Sequence, residues 1–353
     1  MRVAHIVLGS AAPAGLAGAV LTRDIEVGGE RWAKGRRLSA ADLEALGRAV
    51  PIVEWRPITV LVPEPGDVHE DDAARRLAAA VSGPGLVVGE IAQSRIDLRA
   101  VAAGVVRVRV AVLDRLNAID PLEVFTIHDG RVVGAGGLVA SVKVAPHLVL
   151  ETALARAEAL ARSAGRRGVV SIAAFQPRRV AAVVKESIRG IARDRFEATI
   201  RARVEGLGST LVGIDYVDDT VEPVEAALGR RVHGRGSGRA DLVLTAGSAS
   251  TDPEDPFFVA IARLGGRLVR QGVPAHPGSM LWLATIGRVP VLGLPSCGAY
   301  SRATAADLLL PRLLTGEPPS IRTLARLGHG GILTRDQRHR FPAYAEDLEP
   351  PEG

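Results

Sequence analysis

The stretch ADLVLTAGSASTDPEDPFFVAIARLGG, Ala240 to Gly266, decides how the chain folds. It opens as an apolar run, ADLVLTAG, that breaks at small residues. Asp252, Glu254 and Asp255 follow, and PFFVAIAR then takes up a helical pattern closed by Gly265. A buried strand, a turn and an amphipathic helix in that order make one βα unit. Asp255 before Pro256 is a helix start, with Asp as N-cap and Pro at the first helical position. The same acids and hydroxyls also suit a site for a phosphate and a metal ion. The two readings are compatible, because a capped helix still has N–H groups open to an anion.

The rhythm of this unit extends in both directions. RVAAVVK (Arg179 to Lys185) is a buried strand, DRFEATIRARVEGLG a helix ended by Gly208, STLVGIDYV a strand and TVEPVEAALG a helix. RLVRQGV and VPVLGLP are further strands, and ATAADLLLPRLLTG is a final helix. Near-continuous apolar strands alternating with amphipathic helices predict an α/β domain over residues 175–316: a three-layer α/β/α arrangement around a mostly parallel sheet. Ligands of such sheets sit beyond the carboxyl ends of the strands. The stretch from Arg162 to Arg179 is the expected linker into it.

Residues 1–168 predict a strand-rich α+β region with room for two subdomains. LSAADLEAL is a helix with Ser39 as N-cap. ITVLVPEPGD is a strand ending in a turn, and HEDDAARRLAAAV is a helix whose acids Asp71 and Asp72 complement its dipole. VVRVRVAVL, Val105 to Leu113, alternates with period two and predicts one half-buried strand. Asp129-Gly130 signals a hairpin, and Glu151 to Arg162 is helical. Residues 317–353 are expected to form a tail that packs partly and then frays.

Composition narrows the function. At 353 residues the chain is too long for one core. Only 3% of residues are aromatic, so the core is aliphatic and base-stacking platforms are scarce. The net charge of +5 comes almost wholly from Arg, spread along the chain and interleaved with acids. That pattern lacks a nucleic-acid footprint but favours an anionic ligand. The single cysteine, Cys297, excludes a disulfide framework within one chain and fits a reducing compartment. The N-terminal stretch reads as strand and turn rather than signal peptide, and there is no run long enough for a membrane span, so a cytoplasmic location is expected.

Four motifs then occur in a familiar order: VDD (Val217 to Asp219), ADLVLTAG followed by DPED, HPGSM (His276 to Met280) and VLGLPSCGAY (Val291 to Tyr300). From about Arg179 to Gly316 the chain resembles the molybdopterin-binding domain, of MoaB/Mog type, found in molybdenum-cofactor biosynthesis proteins. AVLTRDI…KGRRLSAADLEAL, HEDDAARRLAAAV and LARLGHGG (Leu324 to Gly331) extend the resemblance to MoeA-like molybdopterin-binding proteins, relatives of the molybdopterin molybdotransferases. The chain departs from the family's glycines. Thr245-Ala246-Gly247 stands for Thr-Gly-Gly, Leu294-Pro295-Ser296 for Leu-Pro-Gly, and Val183-Val184-Lys185-Glu186 for Thr-Gly-Ser-Glu. Such glycines let backbone N–H groups approach a phosphate.

The resemblance implies a site. Asp255 and Asp252 are the expected catalytic acids and holders of Mg²⁺, the ion an insertion step would need. Thr245, Gly247, Ser248, Ser250, Asp219, Glu186, Pro277, Gly278, Ser279, Pro295 and Ser296 are expected to bind molybdopterin. Asp194 also matches a family acid. Simpler roles stand beside these: Asp218 and Asp219 as a turn or cap, Pro277 as a tight turn, Lys185 as an exposed cation rather than a phosphate partner, and Cys297 as a buried inert thiol rather than a sulfur near molybdenum. His276 is a candidate to reach the ligand, and His329 is taken as structural. Three functions follow: a molybdopterin-binding protein in cofactor biosynthesis or delivery to a molybdoenzyme client; a Mg²⁺-dependent transferase inserting molybdate into adenylylated molybdopterin; or a competence-damage-type nucleotide-sugar pyrophosphatase. The resemblance also implies a homo-oligomer.

Overall fold

The computed structural model describes residues 1–50, 57–92, 94–185, 191–295, 303–317 and 319–347. They fall into two compact units. The first comprises Met1–Val101, Arg107–Ile127 and Gly136–Ser171; the second comprises Ile172–Gly353 together with Ala102–Val106 and His128–Ala135. Within that second unit, Val132 and Val133 pair antiparallel with Val105 and Gly104. No helix among the described residues is long and apolar enough to cross a membrane.

The first unit is α+β. Leu122–Thr126, Leu138–Val144, Arg95–Ala100 and Leu86–Ala92 form an antiparallel four-stranded sheet in that order. Helices Glu70–Val81 and Glu151–Arg162 bury Ala73, Leu77 and Val81, and Leu154 and Ala157, respectively. Arg76 joins the two helices through Glu151 and Glu158, at 2.6 and 2.9 Å. Ser39 caps Ala40–Arg48 as expected, and does so in a reciprocal box with Asp42.

Two expectations for this region are overturned. VVRVRVAVL is not one strand: the strand Gly104–Val108 stops, and Val110–Asn117 is helical. Val105, Val106 and Val108 are all buried, so the alternation did not mark a half-buried face. A short period-two run cannot separate a strand from the first turn of a following helix. Asp129-Gly130 does turn, with Gly130 at φ 89°, but the flanking strands do not pair with each other. Leu122–Thr126 pairs with Leu138–Val144, and Val132–Val133 with Gly104–Val108. Turn chemistry sets local φ, not the strand's partner.

The second unit has the predicted three layers. Its strands are β1 (Arg179–Val184), β2 (Thr210–Tyr216), β3 (Leu242–Ala246), β4 (Arg267–Gln271), β5 (Trp282–Ile286) and β6 (Val289–Gly293). They lie in the order β2-β1-β3-β6-β5-β4. The contacts β1/β2, β1/β3 and β3/β6 are parallel; β6/β5 and β5/β4 are antiparallel. Strand β5 returns into β6 through a two-residue turn with Gly287 at φ 57°.

Side-chain alternation sorts the two faces. Val180, Ala182, Leu242 and Leu244 face α1 (Ile191–Glu205) and α4 (Ala305–Leu314). Ala181, Val183 and Val243 face α2 (Val221–His233) and α3 (Pro256–Arg263). The segment after Gly316 does more than pack partly. It forms the short helix α5 (Ile321–Ala325) and sends Leu324, Leu327, Leu333, Phe341 and Tyr344 into the first of these faces.

Candidate functional site

Strands β1 and β3 end side by side, with Val184 paired to Ala246 and the Lys185 N–H donating to the Ala246 carbonyl at 3.0 Å. Lys185 keeps the parity of Ala181 and Val183, which aims it at the α2/α3 face. It is not the exposed cation expected of a lone lysine: the residue is 5% exposed. Its Nζ lies 2.7 Å from both Asp255 Oδ2 and Asp219 Oδ1, and 5.6 Å from the centre of the Phe257 ring. Burial works against its charge, but the hydrogen bonds and charges of Asp219 and Asp255 outweigh it and hold the pKa above its ordinary value.

Asp255 is the N-cap of α3, as Asp-Pro predicts. Its Oδ1 accepts from Phe257 N at 2.9 Å, and its Oδ2 accepts from Ala249 N at 2.6 Å as well as from Lys185. The carboxylate is buried and occupied on both oxygens. Asp252 is exposed and accepts from Glu254 N at 2.9 Å, which closes a local turn. Among the described residues no group of three or more His, Cys, Asp or Glu is arranged to hold a metal ion.

Thr245 shares the parity of Val243 and so faces the same side as Lys185. It is 1% exposed, and its Oγ1 has no hydrogen-bond partner among the described residues. Gly247 follows at φ 88°, a conformation that favours glycine. Neither its N–H nor that of Ser248 meets an acceptor among the described residues. The Ser248 hydroxyl accepts from Trp282 Nε1 at 3.0 Å. That indole lies across Gly293, where a Cβ would stand 2.1 Å from the ring. The Ser250 carbonyl accepts from Gln271. Pro295 is buried just after β6, next to Leu294, whose N–H donates to the Thr245 carbonyl at 2.8 Å.

The Pro-Gly loop is occupied differently. Gly278 has φ 102°, and a Cβ on it would stand 2.8 Å from Thr304 Cβ. The Pro277 carbonyl accepts from Ala305 N at 2.9 Å, and the Ser279 carbonyl from Val273 N at 2.9 Å. Pro277 and Gly278 therefore seat the start of α4. His276 pairs through its backbone with Gly331 and Leu333, which brings the LGHGG motif beside this loop. His276, His329 and Asp194 are exposed. Glu186, Ser296 and Cys297 lie outside the described residues.

Residues 179–315 match the family model described as a probable molybdopterin binding domain. That match lies wholly within the second unit. Among solved structures, the molybdopterin biosynthesis MoeA protein from Pyrococcus horikosii is similar at 16% identity, over 74% of this chain and 81% of that one, with a TM-score of 0.29. No curated protein matches. In the matched domain, Lys185, Asp219, Thr245, Gly247, Ser248 and Asp255 gather at the ends of β1 and β3. The Lys185 pairing is the feature that sequence reasoning missed. The one available signal was its place, a lone lysine closing a strand beside the βα turn.

Proposed function

We propose that the protein binds molybdopterin at the carboxyl ends of β1, β3 and β6, as a step in molybdenum-cofactor biosynthesis or delivery to a molybdoenzyme. Molybdopterin is a flat reduced pterin with a dithiolene and a terminal phosphate. Its phosphate needs backbone donors and hydroxyls at a strand end, and the domain match supports a pterin of this kind as ligand. The observation that carries the reading is the buried Thr245 hydroxyl just before Gly247: among the described residues that hydroxyl has no partner, and the Gly247 and Ser248 amides meet no acceptor. An unsatisfied buried hydroxyl costs stability and points to a group that completes it.

Binding is favoured over Mg²⁺-dependent insertion. Magnesium takes oxygen ligands in near-octahedral geometry, usually with one or two free carboxylates. Asp255 gives its oxygens to two backbone amides and a lysine, and Asp252 turns to its own loop. The donor set does not fit the ion, so no step is routed through one. Lys185 is compensated by Asp219 and Asp255, so this cluster braces the ends of β1 and β3 and leaves the phosphate to backbone amides and hydroxyls.

The test is anaerobic calorimetric titration of the full chain with molybdopterin. Saturable binding at micromolar concentration is expected; none at that level sinks the reading. A reconstituted molybdate-insertion assay on adenylylated molybdopterin separates binder from transferase. Turnover that requires Mg²⁺ and is lost in Asp255→Asn would establish the enzyme instead. AMP release from ADP-ribose would favour the pyrophosphatase.

A further inference from the structure

A second anion-friendly place lies in the same unit, built from residues that the molybdopterin reading does not use. His128, Asp129, Gly130 and Arg131 face Leu308 and Arg312 of α4 and Leu327 and Arg340 of the C-terminal segment around a small open cleft of about 30 Å³. Three guanidinium groups, from Arg131, Arg312 and Arg340, meet there with one carboxylate, Asp129.

Each arginine is short of a counter-charge in its own way. Arg312 is only 6% exposed, reaches Asp129 Oδ2 at 3.3 Å, and has a buried Nε with no hydrogen-bond partner among the described residues. Arg340 donates to the Gly330 carbonyl and, at 2.8 Å, to Gln337 Oε1, both neutral acceptors. Among the described residues neither Arg131 nor Arg340 is paired with a carboxylate. Burial without a carboxylate lowers the Arg340 pKa. Gly130 keeps the seat open, since a Cβ there would stand 2.0 Å from Arg312 Nη2. Leu308 and Leu327, each 8% exposed, close the floor and limit hydration.

We infer that this cleft binds a tetrahedral oxyanion of charge −2, of the phosphate or molybdate kind. Guanidinium forks match the oxygen edges of such an ion, and a half-buried cluster of like charges gains most from a dianion. The site is independent of the molybdopterin rim: it shares no residue with it, and failure of either leaves the other standing.

The experiment is calorimetric titration of the full chain with inorganic phosphate and, separately, with molybdate, at constant ionic strength set with chloride. Saturable binding of one ion per chain is expected, and its preference between the two probes identifies the source. Arg131→Gln removes a side chain that holds no ion pair, so the fold should persist while affinity falls at least about tenfold, the loss of one charged hydrogen bond. Arg340→Gln should act in the same direction. Binding that persists equally in Arg131→Gln and Arg340→Gln, or that chloride alone abolishes, overturns the proposal. So does the absence of any heat from either probe while circular dichroism shows a folded chain.

Discussion

Lys185 is held between two carboxylates of unlike exposure: the Asp255 side chain is fully buried, while that of Asp219 is 64% exposed. The consequences differ accordingly. Asp255→Asn keeps a competent N-cap but removes the buried counter-charge, and should lower stability by about 3 kcal/mol in denaturant melts, the low end for breaking a buried pair because Asp219 remains. Asp219→Asn should cost no more than about 1 kcal/mol, since the exposed partner is solvent-screened. The pH dependence has a definite sign. Folding raises the Lys185 pKa, so its contribution is complete below the ordinary value of 10.5 and is lost only as pH rises through the higher folded value. Melts at alkaline pH should be flat with respect to this group up to about 10.5, fall between there and the folded value, and level off beyond it. Thr245→Val tests the orphan hydroxyl. It should leave stability unchanged or raise it by up to about 1 kcal/mol, because a buried unsatisfied group disappears, while weakening molybdopterin binding. At this scale the Asp255 cap was legible from the adjacent Pro256. The Lys185 pairing was not, because its buried partner is 70 residues away and only the sheet brings them together.

Elements were legible where the period was long and the punctuation clear. The helices over Glu70–Val81 and Glu151–Arg162, and the βα unit around Asp255, follow from apolar spacing closed by caps. Legibility failed where the pattern was short, as at Val105 to Leu113, or where partner choice mattered, as around Asp129-Gly130. Strand β5 escaped because Gly278 and Ser279 read as a turn without saying what came next. The Pro-Gly loop itself proves to be a seat for α4. Gly278→Ala combines a positive φ with a contact against Thr304 and should destabilise by about 1–3 kcal/mol, seen as a lower midpoint in thermal or denaturant melts. A midpoint equal to the parent's would mean the loop is not fixed to α4.

Across the whole second unit, the C-terminal segment is part of the core rather than an appendage. Asp307 of α4 is fully buried, takes Arg203 of α1 at 2.7 Å and accepts from the Tyr344 hydroxyl at 3.0 Å. A chain ending at residue 316 would lose Leu324, Leu327, Leu333, Phe341 and Tyr344 from one face of the sheet. It should lose cooperative unfolding, with exposed apolar surface reported by dye binding; a sharp transition at the parent's midpoint would refute this. The sequence concealed this role because the segment's apolar residues are widely and irregularly spaced among Pro, Arg and Gly, with no helical or strand period to read. The α/β layering, in contrast, follows from alternating elements that have few other ways to bury their apolar faces.

The central claim, that a phosphorylated pterin is received at the ends of β1, β3 and β6, is tested most directly by a crystal structure of the anaerobically prepared complex. The account predicts phosphate oxygens within hydrogen-bond distance of the Gly247 and Ser248 amides, with the Thr245 hydroxyl newly partnered. Molybdopterin bound elsewhere, with that hydroxyl still alone, would contradict it.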